Sequence, residues 1–187
     1  MLLHTDRLTI RPYTLDDLQA RHDLTTRAFQ IETSLEDTRA WLAWTIASYQ
    51  QFANMYQPPY GDYAIIQTDT QAVIGSVGLV PSVIPWGVID ELRPTNTPIH
   101  YLTSPEFGLF WGILPEFWGN GYAPEAGKAF INHIFSTQYA LRVVATTEND
   151  NLNSQRVMKK LGMDVYRNSH KKPFWFEVVG VLDNPHR

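Results

Sequence analysis

The chain has 187 residues, 44% of them hydrophobic, and a formal net charge of −4, which is apolar content enough for one sizeable core and too little charge for a nucleic-acid stripe or a polybasic membrane segment. Cysteine is absent, which removes disulfides, thiolate zinc sites and a cysteine nucleophile, and fits a reducing compartment. The opening MLLHTDRLTI lacks a basic region followed by an apolar run, and no stretch approaches the ~18 uncharged apolar residues of a membrane span, so a soluble cytoplasmic protein is expected.

In chain order, Thr5 to Pro12 alternates Leu8 and Ile10 with Thr9 and Arg11 and predicts a first strand with one wet face. Thr14 and Asp16-Asp17 then start a helix. Apolar residues at helical spacing predict amphipathic helices from Leu15 to Phe29 and from Ser34 to about Asn54, the second carrying Trp41, Leu42, Thr45, Ile46, Tyr49 and Phe52. Tyr63 to Gln67 and Val73 to Val80 read as a hairpin around Thr68 to Gln71. Gly75 and Gly78 within its second strand permit close approach of a neighbouring backbone. The proline-rich stretch from Ser82 to Ser104 is long for a connection, which points to a binding loop or lid.

Phe107 to Leu114 is apolar, aromatic and β-prone, and predicts a strand buried on both faces that Pro115 ends. Gly119 and Gly121 flank Asn120, and a helix opens near Tyr122, with Pro124 and Glu125 in its first turn. Glycines let main chain approach a ligand closely, and a helix N-terminus offers N–H donors with partial positive charge, so the segment reads either as an anion cradle for a phosphate or pyrophosphate or as an ordinary tight connection. After that helix, Leu141 to Thr147 predicts a strand and Asn151 starts another helix, stopped by Gly162. Val165-Tyr166 and Phe174 to Leu182 supply the last strands, joined by a basic turn, Arg167 to Pro173.

Trp118-Gly119-Asn120-Gly121-Tyr122-Ala123 resembles the pyrophosphate loop of the GNAT acetyltransferases, Gln/Arg-x-x-Gly-x-Gly/Ala, with Trp118 standing where that pattern has Gln or Arg. The form WGxGYAxEA is similar to the branch that includes the ribosomal-protein N-terminal acetyltransferases. The opening T-x-RLxxRPxTxxD, the strand VIGSVGLV and the helix NLNSQRVMKKLGM resemble other segments of the same family, the last with Met163 in place of an aromatic residue. The resemblance implies a mixed α/β fold, a single domain over residues 1–187, with a central, mostly antiparallel twisted sheet, a splayed cofactor strand and flanking helices. It implies acetyl-CoA as acetyl donor and a primary amine as acceptor, a protein N-terminus or a small molecule, with the protein a monomer or homodimer.

Site residues follow from the same resemblance. Gly119, Asn120, Gly121, Tyr122 and Ala123 would hold the phosphates and Trp118 would pack, while free backbone groups near Trp111, Ile113 and Leu114 would pair with pantetheine and face the thioester oxygen. Glu106 is the candidate general base, two residues before the family's strand glutamate, which aligns with Gly108; its competing reading is a solvated strand-end carboxylate, and His100 and Glu91 are alternatives. Ser154 is the candidate acid for the leaving thiolate, since Met158 stands where many family members have tyrosine; its other reading is a helix-start hydroxyl on a backbone N–H. Asn151 either contacts the cofactor or caps that helix, and Lys159, Lys160 and Lys171 either meet a nucleotide phosphate or are solvated. The six histidines show no HxH or HExxH spacing, so no metal is expected, and no Gly-Lys-Ser/Thr follows the glycines, which excludes a P-loop. A second class of function is a CoA-binding sensor or interaction module that has lost chemistry.

Overall fold

Caps and left-handed residues set most element boundaries in the computed structural model, which describes residues 1–93, 98 and 103–186. Its strands are β1 (Leu3–His4), β2 (Leu8–Pro12), β3 (Gly61–Gln67), β4 (Val73–Ile84), β5 (Ser104–Ile113), β6 (Arg142–Thr147), β7 (Asp164–Arg167) and β8 (Val178–Asp183). Its α-helices are α1 (Leu18–Asp23), α2 (Leu35–Asn54), α3 (Tyr122–Thr137) and α4 (Leu152–Lys160). Ser34 caps α2 by accepting from the Asp37 N–H at 3.0 Å, and Gly162, at φ +82°, stops the chain after α4 as a glycine beyond a helix end does. The strand order is β1-β2-β3-β4-β5-β6-β8-β7 in one eight-stranded sheet. Pairing is antiparallel for β1–β2, β2–β3, β3–β4, β6–β8 and β7–β8 and parallel for β5–β6. No described helix is long and apolar enough to cross a membrane.

The chain forms two compact units. The first comprises residues 1–79 and 110–133. One face of its strands buries Tyr13, Leu18, Leu42, Ala64 and Ile66 beneath α1 and α2, with Trp41 and Ile46 packed on them; the other carries Tyr63 edge-on to Phe130 of α3, ring centres 5.6 Å apart. The expected helix from Leu15 to Phe29 is broken into a 3-10 turn at Leu15–Asp17, α1, and a π-helical turn at Leu24–Ala28. Local side chains account for the first boundary: Asp17 turns back to take the Thr14 N–H at 2.8 Å and both Nη groups of Arg11 at 2.7 and 2.8 Å, so RPxTxxD folds on itself.

The second unit comprises residues 80–109 and 134–187. Its core gathers Ile84, Trp86, Val88, Ile89, Val144, Phe176 and Val179. The stretch after Ser82, expected to be irregular and lid-like, thus begins as an extension of β4 and a buried 3-10 turn at Trp86–Val88, because its aromatic and branched residues complete a core. The expected strand from Phe174 starts only at Val178. Asn168 explains the delay: its amide donates to the carbonyls of Lys172 at 3.0 Å and Phe176 at 2.8 Å, holding that stretch as a turn with Phe174 86% exposed.

Candidate functional site

The glycine turn lies in the first unit and is held from one side by the start of the chain. Gly119 and Gly121 adopt φ +80° and +81°, a left-handed conformation in which side chains are strained. A Cβ at Gly119 would meet nothing within 4 Å and one at Gly121 only the Arg7 guanidinium, at 3.7 Å, so glycine is required here by backbone angle and not by crowding. The Asn120 amide donates to the carbonyls of Phe117 and Trp118 at 3.1 and 3.2 Å. Tyr122 and Ala123 open α3, whose first N–H groups have no intrahelical acceptor, and the Glu125 N–H reaches the Gly121 carbonyl at 3.2 Å.

Glu125 is the anchor that sequence reasoning missed. It accepts from the Thr5 hydroxyl at 2.6 Å, the Arg7 N–H at 3.2 Å and Arg7 Nε at 2.8 Å. Arg7 also donates through Nη1 to the Asn120 carbonyl at 3.1 Å and lies 4.6 Å over the Tyr122 ring. Burial pushes the Glu125 carboxyl up, but Thr5 and Arg7 outweigh it and hold it below the ordinary value. The available signal was that Thr5 and Arg7 of the opening motif and Glu125 of the loop motif are matched polar residues in one family pattern.

Trp118 is half exposed, at 52%, and its indole N–H donates to the Ile113 carbonyl at 2.6 Å. The expected row of free backbone groups is therefore reduced. That carbonyl already has a partner, and the Leu114 N–H donates to the Ile74 carbonyl at 2.9 Å. Trp111 is half-buried and Ile113 buried. β5 pairs in parallel with β6 at Phe107 with Val143 and Gly108 with Val144, all four in the second unit.

Glu106, Ser154 and Asn151 lie in the second unit. The Glu106 side chain is 6% exposed, unlike a solvated strand-end carboxylate. Its Oε2 accepts from Arg142 Nε at 2.9 Å and its Oε1 from the Ser104 hydroxyl at 2.6 Å and Trp86 Nε1 at 3.2 Å, with the Arg142 guanidinium 5.0 Å from the Trp86 ring centre. Asn151 caps α4, accepting from the Ser154 N–H at 3.1 Å, so the cap is Asn151 and not the Ser154 hydroxyl. No hydrogen bond joins Glu106 to Ser154 among the described residues. Met158 is fully buried and packs with Met163 on Gly180, where a Cβ would come within 3.1 Å of Met158 and 2.9 Å of the Met163 sulfur. The position of the family tyrosine is thus a core position here. Glu91, Lys159, Lys160 and Lys171 are exposed, and His100 lies outside the described residues.

The Acetyltransferase (GNAT) domain family matches residues 7–164. An uncharacterized N-acetyltransferase of Bacillus subtilis strain 168, YoaA, is 29% identical over 171 residues, 86% of this chain and 81% of that protein. The ribosomal-protein-S5-alanine acetyltransferase of Vibrio fischeri shares the fold at TM-score 0.71 and 13% identity, covering 99% of this chain and 97% of its own. A ribosomal L7/L12 alpha-N-protein acetyltransferase in complex with coenzyme A shares it at TM-score 0.66 and 15% identity, covering 97% and 96%. With the family pattern spanning both the opening strand and the glycine turn, the chain belongs to the GNAT family and is an acetyltransferase.

Proposed function

We propose that this enzyme, one domain over residues 1–187, moves the acetyl group of acetyl-CoA to a primary amine, on a protein N-terminus or a small molecule, by direct attack. The observation that carries the reading is the left-handed Gly119–Gly121 turn at the start of α3, fixed by Arg7 and Glu125. Gly119, Asn120, Gly121, Tyr122 and Ala123 fit a pyrophosphate, with N–H donors and a positive helix end, and Trp111 and Ile113 lie on the strand that would run beside pantetheine. Bound acetyl-CoA supplies an acyl group activated as a thioester.

For the amine proton we propose Glu106, reached through the Ser104 hydroxyl that donates to its Oε1. A proton arriving at the Ser104 oxygen can pass along that bond to the carboxylate, while Arg142 and Trp86 fix the carboxylate in place. Ser154, whose hydroxyl has no hydrogen bond among the described residues, is proposed to donate to the leaving thiolate. A second reading, a weakly active CoA-binding sensor, is favoured by one observation: Met158 fills the tyrosine position with a buried group that cannot donate a proton.

Acetyl-CoA is expected to raise the melting temperature by mass action, and Gly121→Val to abolish that rise in a folded protein. An unchanged rise would remove the loop from the cofactor site. Glu106→Gln should lower turnover by roughly 10²-fold with little change in CoA affinity. Steady-state turnover on an amine panel separates the enzyme from the sensor.

A further inference from the structure

The segment that would hold a pyrophosphate carries the wrong charge for it. From Pro115 to Gly127 it has two carboxylates, Glu116 and Glu125, and neither lysine nor arginine, and Trp118 stands where the family pattern has Gln or Arg. Pro124 has no N–H, so Tyr122 and Ala123 are the backbone donors among the first three residues of α3. Glu125 lies in that first turn, where its charge competes with a bound anion for the positive end of the helix. Because its carboxyl is held below the ordinary value in spite of burial, that charge is present at neutral pH.

Each carboxylate is met by an arginine from elsewhere in the first unit. Glu116 takes Arg27 Nη1 and Nη2 at 3.1 and 2.8 Å, both side chains are exposed, and solvent screens the pair. Glu125 is half-buried and takes Nε and Nη2 of Arg7, so its neutralisation depends on that partner. The same guanidinium donates to the Asn120 carbonyl at 3.1 Å, a second negative group beside the turn, lying between the two left-handed glycines. It also covers the Tyr122 ring at 4.6 Å, while the Tyr122 hydroxyl accepts from Gln67 Nε2 at 3.1 Å. Arg7 is itself anchored to the sheet. Its carbonyl accepts the Thr68 N–H at 2.9 Å, and the next residue, Leu8, is paired with Gln67.

One side chain therefore touches every negative group at the start of α3. We propose that Arg7 is a positioning residue of the cofactor site, which cancels the Glu125 charge and holds the Asn120 carbonyl so that the turn accepts the phosphates of CoA. The inference rests on the acetyl-CoA reading above and adds to it a residue from the opening strand. It makes the role of Arg7 electrostatic first: a neutral side chain that still hydrogen-bonds fails, and removing the carboxylate compensates.

The test is calorimetric titration of the full chain with CoA, the unliganded melting temperature of each variant reporting whether it is folded. Arg7→Gln, which keeps a donor and loses the charge, is expected to weaken CoA by about 10-fold, and Arg7→Lys, which keeps the charge, by about threefold or less. Adding Glu125→Gln to Arg7→Gln should recover most of the lost affinity, because it removes the uncancelled charge while leaving Thr5 an acceptor. Arg27→Gln is the control and should leave affinity within about twofold of wild type. Equal losses in Arg7→Gln and Arg7→Lys, or no recovery in the double variant, would reduce Arg7 to a structural tie and overturn the proposal. The Lys and Gln variants decide alone where the double variant does not fold. Wild-type affinity in Arg7→Gln sinks this inference and leaves the cofactor reading standing, whereas a wild-type chain that does not bind CoA sinks both.

Discussion

Glu125 and Asp62 are both carboxylates paired with an arginine in the first unit, and their ionisation is displaced in opposite directions. Glu125 takes Thr5 and the backbone, Nε and Nη2 of Arg7, and is held below its ordinary value despite partial burial. Burial pushes Asp62 up to about 7, although Arg21 and the Tyr63 N–H pull it down. One arginine beside each acid does not decide the outcome. A carboxylate needs donors on both oxygens to offset the water it has lost, and Asp62 Oδ1 has none among the described residues.

The contrast can be broken most forcefully at Arg21. Arg21→Met keeps bulk against Trp41, whose ring centre is 4.2 Å from the guanidinium, but leaves Asp62 buried alone. At pH 8 the loss should be about 3–5 kcal/mol by urea titration, and smaller at pH 5, where Asp62 takes up a proton. Asp62→Asn should then reverse the pH trend. A carboxyl raised to about 7 from an unfolded value near 3.9 contributes stability that is fully present below about pH 4 and lost as pH rises through 7, on the order of 4 kcal/mol in all. The stability of Asp62→Asn relative to wild type should therefore grow between pH 5 and 8; a constant difference would mean that Asp62 titrates normally. Glu125→Ala comes next, at about 2 kcal/mol for a charged acceptor with several donors, or about 4–8 °C in melting temperature by calorimetry, with a smaller acetyl-CoA-induced rise. The least effect is expected from Arg27→Ala. Its ion pair with Glu116 has side chains 47% and 45% exposed, so its melting curve should overlay that of wild type.

What could be read from sequence was whatever the backbone enforces locally. Gly119 and Gly121 were legible because left-handed φ favours glycine, and Ser34 because a cap needs an oxygen at one fixed place. Glu125 was seen as a helix-dipole residue, and its partners stayed hidden because they lie 118 and 120 residues away. Arg21 draws no expectation within the predicted helix from Leu15 to Phe29, since no residue near it in sequence signals that it turns inward to Asp62. Ser154 and Asn151 divided cap and hydroxyl in a way that only the helix start could fix. The Glu106 carboxylate was placed on the right strand, but its donors Arg142, Trp86 and Ser104 come from three other positions that no local pattern joins.

The sheet ends in β1, two residues long, and β7, four residues long. An exposed edge recruits a foreign strand in proportion to the unpaired N–H and C=O groups it can present. Edges this short present few, and such a ladder could not grow far before it ran out of template. Self-association through strand addition, the common route from a stray edge to aggregation, is therefore disfavoured at both ends.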